Sequence, residues 1–557
     1  MMNKTRSLYK AFSSNLEMPK PNGEKKEKLY TRFGIIAFIG IMIPVSVLVG
    51  YVTYALTNLL YEFDGNSYGL LSELDLISAF AMIFCMPLMF SVLFFSSDLS
   101  FLTALPISPT SLYTARFWHT FKAENVMTSN VLFAIYIGYF VSVAKNDGIA
   151  DALNPVAIIS AFVGFFGSLL MPLIYCSIIG LLMMMVLRKF KRASIYYNST
   201  LILFVAFVLI FLSSFRRYGS ISLMNYLDSL VVGNNSFTAI CNVMFPTNFL
   251  TTLAIKTHNV LLLIASVAIL AALYLASVFI ARLTYQKGLF AAAVVSNKKT
   301  YRKSSLSFGK HSMFTSLLIK EIRVLTRTMT YRLNCVLANL IWPAVALIFV
   351  TMAPQQSFFN MFTAKLEAKD PFSHVLLFAV FIAVAFIASG LNSIASTSFT
   401  REGVHIDMLN FLPAPLEKQI KAKILTAILF TFIPVAISIT PVAICLGVAI
   451  VLPLYILISF VCVVIATMIG VVMDSVSPYT AWSDELSALR GNLNCFFNLA
   501  AEMIAALVIG VVSYGLYLLL GSANITLAAV TGILIPVCVL SYIVGLPKAR
   551  KNIEQLK

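Results

Sequence analysis

Glu502 is the one acidic side chain placed well inside a long apolar run of this chain. A carboxylate in such a run is costly, and inside a membrane it is a functional candidate by default. The competing structural reading is that Glu502 lies only one to two turns from the end of its run and pairs with a nearby cation or hydroxyl. Elsewhere the residue types that do chemistry lack the spacing that chemistry needs. The histidines (His119, His258, His311, His374, His405) show no metal-ligand spacing. The eight cysteines are unpaired at short spacing and mostly sit in or beside apolar runs, as small buried residues do. There is no G-x-x-x-x-G-K-S/T to cradle nucleotide phosphates, no G-x-S-x-G elbow, no H-E-x-x-H, and no adjacent acidic pair of the intramembrane-protease kind. An enzyme is therefore the weaker class, and no cofactor or metal is expected on this chain.

Two loops share a pattern. Leu102, Leu105, Pro106, Ala115 and Arg116 are matched, at a constant offset of 307, by Leu409, Leu412, Pro413, Ala422 and Lys423. Proline disfavours helix at the residue before it and tolerates the first turn of a new one. Each loop thus reads as a break, then a helix starting near Pro106 or Pro413 that runs into the next apolar run, with the cation at its boundary. One such loop could be an ordinary turn; five coincidences at one offset suggest an internal duplication.

The elements that must position these residues follow from composition. Of 557 residues 59% are apolar and only 11% charged, against about 25% charged in ordinary globular proteins. Lipid must be the solvent for much of this surface. Apolar runs of about 20 residues recur, the length an α-helix needs to cross a bilayer, and their lack of alternation excludes barrel strands. The fold class expected is an all-α, polytopic transmembrane bundle. Twelve spans are predicted, at about 34–58, 76–96, 125–144, 155–187, 198–214, 259–281, 333–352, 373–399, 424–446, 453–473, 497–520 and 526–546. The fourth is long enough to be tilted, broken near Pro172 or extended beyond the bilayer. With the N-terminus inside, 34 of the 40 Lys and Arg fall on inner segments and 6 on outer loops, so both termini are expected in the cytoplasm. Arg216 and Arg217 fit less well, falling outside. The formal charge of +17 then reads as topology and affinity for lipid headgroups rather than as a nucleic-acid footprint. The first 33 residues are polar and basic, and the apolar run after them is too long for a signal peptide.

The resulting organisation is a cytoplasmic segment (1–33), a first six-span half (34–281), a basic linker (282–332), a second six-span half (333–546) and a cytoplasmic tail (547–557). Within the linker Phe314, Leu318, Ile322 and Leu325 follow helical spacing, while Lys320, Arg323 and Arg327 take another face. Such a helix directly before a span lies in the headgroup plane or packs on the protein's own inner side. Residues 216–258 carry an apolar stretch broken at Pro246 and should form short helices at the outer face.

The layout resembles permease subunits of ATP-binding-cassette type-2 exporters, the fused twelve-span kind of Gram-positive bacteria. The resemblance rests on Leu102–Pro106, on Ser396–Gly403 followed by Leu409–Pro413, on Leu318–Arg323, and on Asp474–Pro478 with Trp482, Glu485, Arg490 and Asn492. It implies two six-helix halves enclosing a translocation route in the plasma membrane. The matched loops would be coupling elements for a separate ATPase, two copies with ATP on the partner, and residues about 314–330 an interfacial elbow helix. A secondary transporter with its own ion coupling is the alternative. It should show several intramembrane acids and broken helices at mid-membrane.

Overall fold

The computed structural model describes residues 5–10, 42–43, 46–61, 66–94, 106–187, 202, 236–297, 312–352, 357–368, 370–480, 482, 485–490 and 492–555. The described residues contain helices and turns and no strand. Among the described residues eight helices are long and apolar enough to cross a membrane, which makes this an all-α, membrane-embedded protein. The predicted span 198–214 apart from residue 202, the loop residues Leu102 and Leu105, and Arg216 and Arg217 lie outside the described residues.

The described residues divide into two compact units, 5–297 and 312–555, so the change of unit falls inside the predicted linker. Unit 1 contains α1 (Ser46–Tyr61), α2 (Asn66–Phe94), α3 (Pro109–Asn146), α4 (Pro155–Leu187), α5 (Ser236–Met244), α6 (Pro246–Thr257) and α7 (Val260–Asn297). Its core packs α2, α3, α4 and α7 around Phe90, Phe94, Tyr113, Phe117, Met171, Leu181 and Tyr285. The predicted fourth span is one unbroken helix, α4, with Pro172 inside it. Proline has no N–H, so the Ser168 carbonyl loses its helical partner. Ser78 Oγ of α2 donates to that carbonyl at 3.3 Å instead. The short helices expected in 216–258 are present as α5 and α6, with the break at Pro246, which opens α6 at a position where its missing N–H costs nothing.

Unit 2 contains α8 (Met313–Arg327), α9 (Ile341–Met352), α10 (Ser357–Glu367), α11 (Pro371–Asn392), α12 (Leu416–Cys445), α13 (Leu452–Val476), α14 (Glu485–Arg490), α15 (Leu493–Leu520) and α16 (Ala523–Glu554). The stretch leading into α9 is irregular, a π turn at Arg332–Val336 and a 3-10 turn at Leu337–Leu340. Pro343 follows directly and cannot bond back to Asn339. The Asn339 side chain is used elsewhere: Nδ2 donates at 3.0 Å to the Phe430 carbonyl, the one that Pro434 of α12 leaves unpaired. In both units, then, a side chain from a neighbouring helix satisfies a carbonyl that proline has freed, as an apolar solvent requires.

Candidate functional site

The two matched loops lead into helices that start 307 residues apart, α3 at Pro109 and α12 at Leu416. Both begin three residues later than the sequence pattern places them. Ser108 caps α3 through Oγ, which accepts from the Ser111 N–H at 3.3 Å, and Pro109 takes the first helical position. Pro106 and Pro413 are both exposed ahead of their helices.

The two paired cations are buried. Arg116 Nη1 donates to the Val92 carbonyl at 2.5 Å and to that of Leu93 at 3.1 Å. Tyr285 Oη also donates to Leu93, at 3.0 Å. These carbonyls close the last turn of α2, where a cation is favoured by the unpaired C=O groups and the helix dipole. Lys423 is 1% exposed and uses all three of its donors, on Glu321 Oε1 at 2.9 Å, Glu402 Oε1 at 2.6 Å and the Ser398 carbonyl at 2.9 Å. Lys320 adds a second bond to Glu402 at 2.7 Å. Two lysines and two glutamates thus tie α8, the Ser396–Gly403 loop and α12 into one neutral cluster. Burial pushes the Glu402 carboxyl up, but the Lys423 and Lys320 ammonium groups outweigh it and hold it at about 2.

The amphipathic helix expected at about 314–330 is realised as α8, which ends at Arg327. Ser312 caps it, Leu325 is fully buried, Phe314, Leu318 and Ile322 are half-buried, and Arg323 and Arg327 are exposed. Sequence reasoning missed Glu321, which faces Lys423 from the buried side. A glutamate within a basic helix reads as solvated, and its partner is 102 residues away.

The Ser396–Gly403 loop and the Asp474–Asn492 stretch, both singled out from the sequence, fold against each other. Asp474, with no exposed surface, accepts from the Phe399 N–H at 2.6 Å, the Thr400 N–H at 3.0 Å, Thr400 Oγ1 at 2.6 Å and Asn494 Nδ2 at 3.2 Å. Four donors stand in for a cation around this buried carboxylate. The Thr400 hydroxyl is saturated, for it also accepts from the Tyr479 N–H at 3.0 Å and from Asn492 Nδ2 at 3.1 Å. Trp482 Nε1 donates to the Thr400 carbonyl at 2.8 Å, and its ring lies on Gly403. Gly403 has φ +59°, and a Cβ there would come within 2.9 Å of the ring, so only glycine fits. Glu485 opens α14; the Arg490 side chain lies outside the described residues.

Beyond this braced loop the chain turns outward. Phe411 is 84% exposed, with Val404, Met408 and Leu412 exposed near it. Leu409 instead faces the core of unit 2, which leaves Leu412, Phe411 and Met408 as the accessible apolar surface. Gln419 Nε2 holds the turn by donating to the Leu409 and Ala414 carbonyls, both at 2.9 Å. A cleft of about 570 Å³ opens beside it, with Asp407, Asn410, Phe411 and Glu554 in its lining.

Glu502 is fully buried, and no hydroxyl or cation reaches it; the pairing expected from its position does not occur among the described residues. It is also not the sole buried acid within a long helix. α2 begins at Asn66, ten residues before the predicted span, and so includes Glu73 and the fully buried Asp75. Asp75 Oδ1 accepts from Asn248 Nδ2 of α6 at 3.1 Å. Asn248 in turn accepts from Ser168 Oγ at 2.9 Å and donates to Ser78 Oγ at 3.1 Å. This polar knot lies at the Pro172 site of α4. Its sequence signal was thin: Asp75 and Ser78 share one helical face, but Asn248 is 173 residues away from Asp75. No group of histidine, cysteine and acidic side chains among the described residues could hold a metal ion. Compared with protein families, curated proteins and solved structures, the chain finds no match.

Proposed function

We propose that the chain is the permease subunit of an ATP-driven exporter in the cytoplasmic membrane. It has twelve spans in two duplicated six-helix halves, both termini in the cytoplasm, and two copies of a separate ATPase docked on its matched loops. The observation that carries this reading is the junction in unit 2. An exposed apolar turn (Met408, Phe411, Leu412) is fastened, through Gln419 and the Lys423 cluster, to α8 and to the start of the long apolar helix α12. A partner moving that turn would move the helices with it, because a buried, fully paired ion cluster resists shear more than a solvated one. In unit 1 the buried Arg116 ties the start of α3 to the end of α2 at the matched position. α8 is then the elbow helix, its Arg323 and Arg327 directed to headgroups.

Affinity purification of the tagged chain from its native membranes tests this. A P-loop protein should co-purify in fixed ratio and hydrolyse ATP; a chain that purifies alone from active membranes argues against it. The ion-coupled reading draws on Asp75 and Glu502, buried acids inside long helices, and on the prolines of α4 and α12. Transport that persists without any ATPase but collapses with the ion gradient would favour it.

A further inference from the structure

Glu502 and Asn498 lie one turn apart on one face of α15, neither with any exposed surface. The two oxygens of Glu502 and both polar atoms of Asn498 have no hydrogen-bond partner on any neighbouring helix among the described residues. Among the described residues the polar side chain that bears on Glu502 is that of Asn498, one turn away on the same helix. The backbone is built to receive the pair. A Cβ at Gly390 of α11 would stand 2.6 Å from Glu502 Oε2, and one at Gly470 of α13 would stand 3.0 Å from Asn498 Oδ1.

Among the described residues no charge is available nearby to balance an ionised Glu502. On α13, Asp474 is occupied by Phe399, Thr400 and Asn494. On α11, His374 is in the first turn, far from Gly390, beside the Leu366 carbonyl. On α15 itself, Cys495 faces Ser396. On α16, Arg550 is paired with Glu554 in the last turn. A metal cation would find three oxygens on two side chains, too few to replace its water. A proton resolves every unpaired atom. As a neutral acid Glu502 donates its O–H to Asn498 Oδ1 and accepts from Asn498 Nδ2, a reciprocal ring of two hydrogen bonds that gives each of the four unpaired atoms a partner.

We propose that Glu502 is a proton-binding site, closed by Asn498 into an acid–amide ring in the notch between Gly390 and Gly470. On release the O–H bond breaks, its electron pair stays on the carboxylate, and the proton passes to water. The ring then opens and α15 can no longer sit against α11 and α13 in the same place. This inference rests on unit 2 alone and stands whether or not an ATPase docks on the chain.

Infrared difference spectra of the full-length protein in lipid nanodiscs, taken against pH and after deuterium exchange, test it. At neutral pH the wild type should show a protonated carboxyl stretch that shifts in D2O and is wholly absent from E502Q, a variant that keeps the ring as two amides. Asn498→Leu leaves the carboxyl in place but removes its partner, so the band should move to higher frequency. A wild-type spectrum identical to that of E502Q in this region, or a carboxylate band that responds to sodium rather than to pH, would overturn the proposal. So would a band that Asn498→Leu leaves unmoved, and this test does not depend on E502Q folding.

Discussion

Replacing Lys423 by methionine keeps the length of the side chain and removes its charge, and the structure sets what that should do. The ammonium group bonds Glu321, Glu402 and the Ser398 carbonyl at 2.9, 2.6 and 2.9 Å. Glu402 would keep Lys320 at 2.7 Å, but Glu321, 5% exposed, would keep Lys320 only at 3.5 Å. Breaking a buried pair by removing one partner costs about 3–5 kcal/mol, and the surviving Lys320 contacts place this case at the lower end. At about 1.4 kcal/mol per factor of ten, α8 should open roughly 100-fold more often. Hydrogen exchange of the Met313–Arg327 amides measures this directly, with Leu452–Val476 as an internal reference. Adding Glu321→Gln to Lys423→Met should recover part of the loss, since the two residues act as a pair, with a coupling of about 1–3 kcal/mol. If Lys423→Met leaves α8 within threefold of wild-type protection, the ion cluster does not fasten it and the proposed transmission path fails.

Thr400→Val removes three hydrogen bonds from one hydroxyl and exposes Asp474 to a lost donor; at about 1 kcal/mol per bond it should cost about 2–3 kcal/mol, read as a shift in Trp482 fluorescence at lower denaturant. Glu402 is held at about 2 from an ordinary 4.5, so the lowered group stabilises the fold fully above pH 4.5 and loses that contribution, about 3 kcal/mol, as pH falls toward 2. Exchange protection of α8 should therefore fall over that acid range in the wild type and stay flat in Glu402→Gln. Topology is tested by a cysteine at Ser304, which an impermeant reagent should fail to label in intact cells and label after permeabilisation; labelling from outside would reverse the assignment of sides.

Much of the scaffold was legible because apolar run length and helical periodicity are local. The amphipathic face of α8 and the break at Pro246 can be read within a dozen residues. The errors came where a partner far along the chain decides the outcome. An apolar window opens the second span at residue 76, yet α2 starts at Asn66, because a carboxylate inside a helix is tolerated once Asn248 donates to it. Repeat matching marked Leu409 and Leu412 alike, but it cannot distinguish a position repeated for packing from one repeated for contact. Leu409 proved to be the former, and the exposed Phe411, absent from the repeat, carries more of the accessible surface. The matched cations, read as lying at a membrane boundary, are buried instead: Arg116 caps α2 and Lys423 binds three elements together.

Docking of an ATPase on the matched loops is tested most directly by quantitative recruitment. The tagged chain with Leu105→Asp and Leu412→Asp together should insert in the membrane normally yet retain less than a tenth of the ATPase captured by wild type, because truncating or charging an apolar anchor costs about 2 kcal/mol or more at each loop. The same changes at Ser100 and Asn410 should leave capture unchanged. Full capture and undiminished ATPase stimulation by the Leu105→Asp, Leu412→Asp protein would contradict the account.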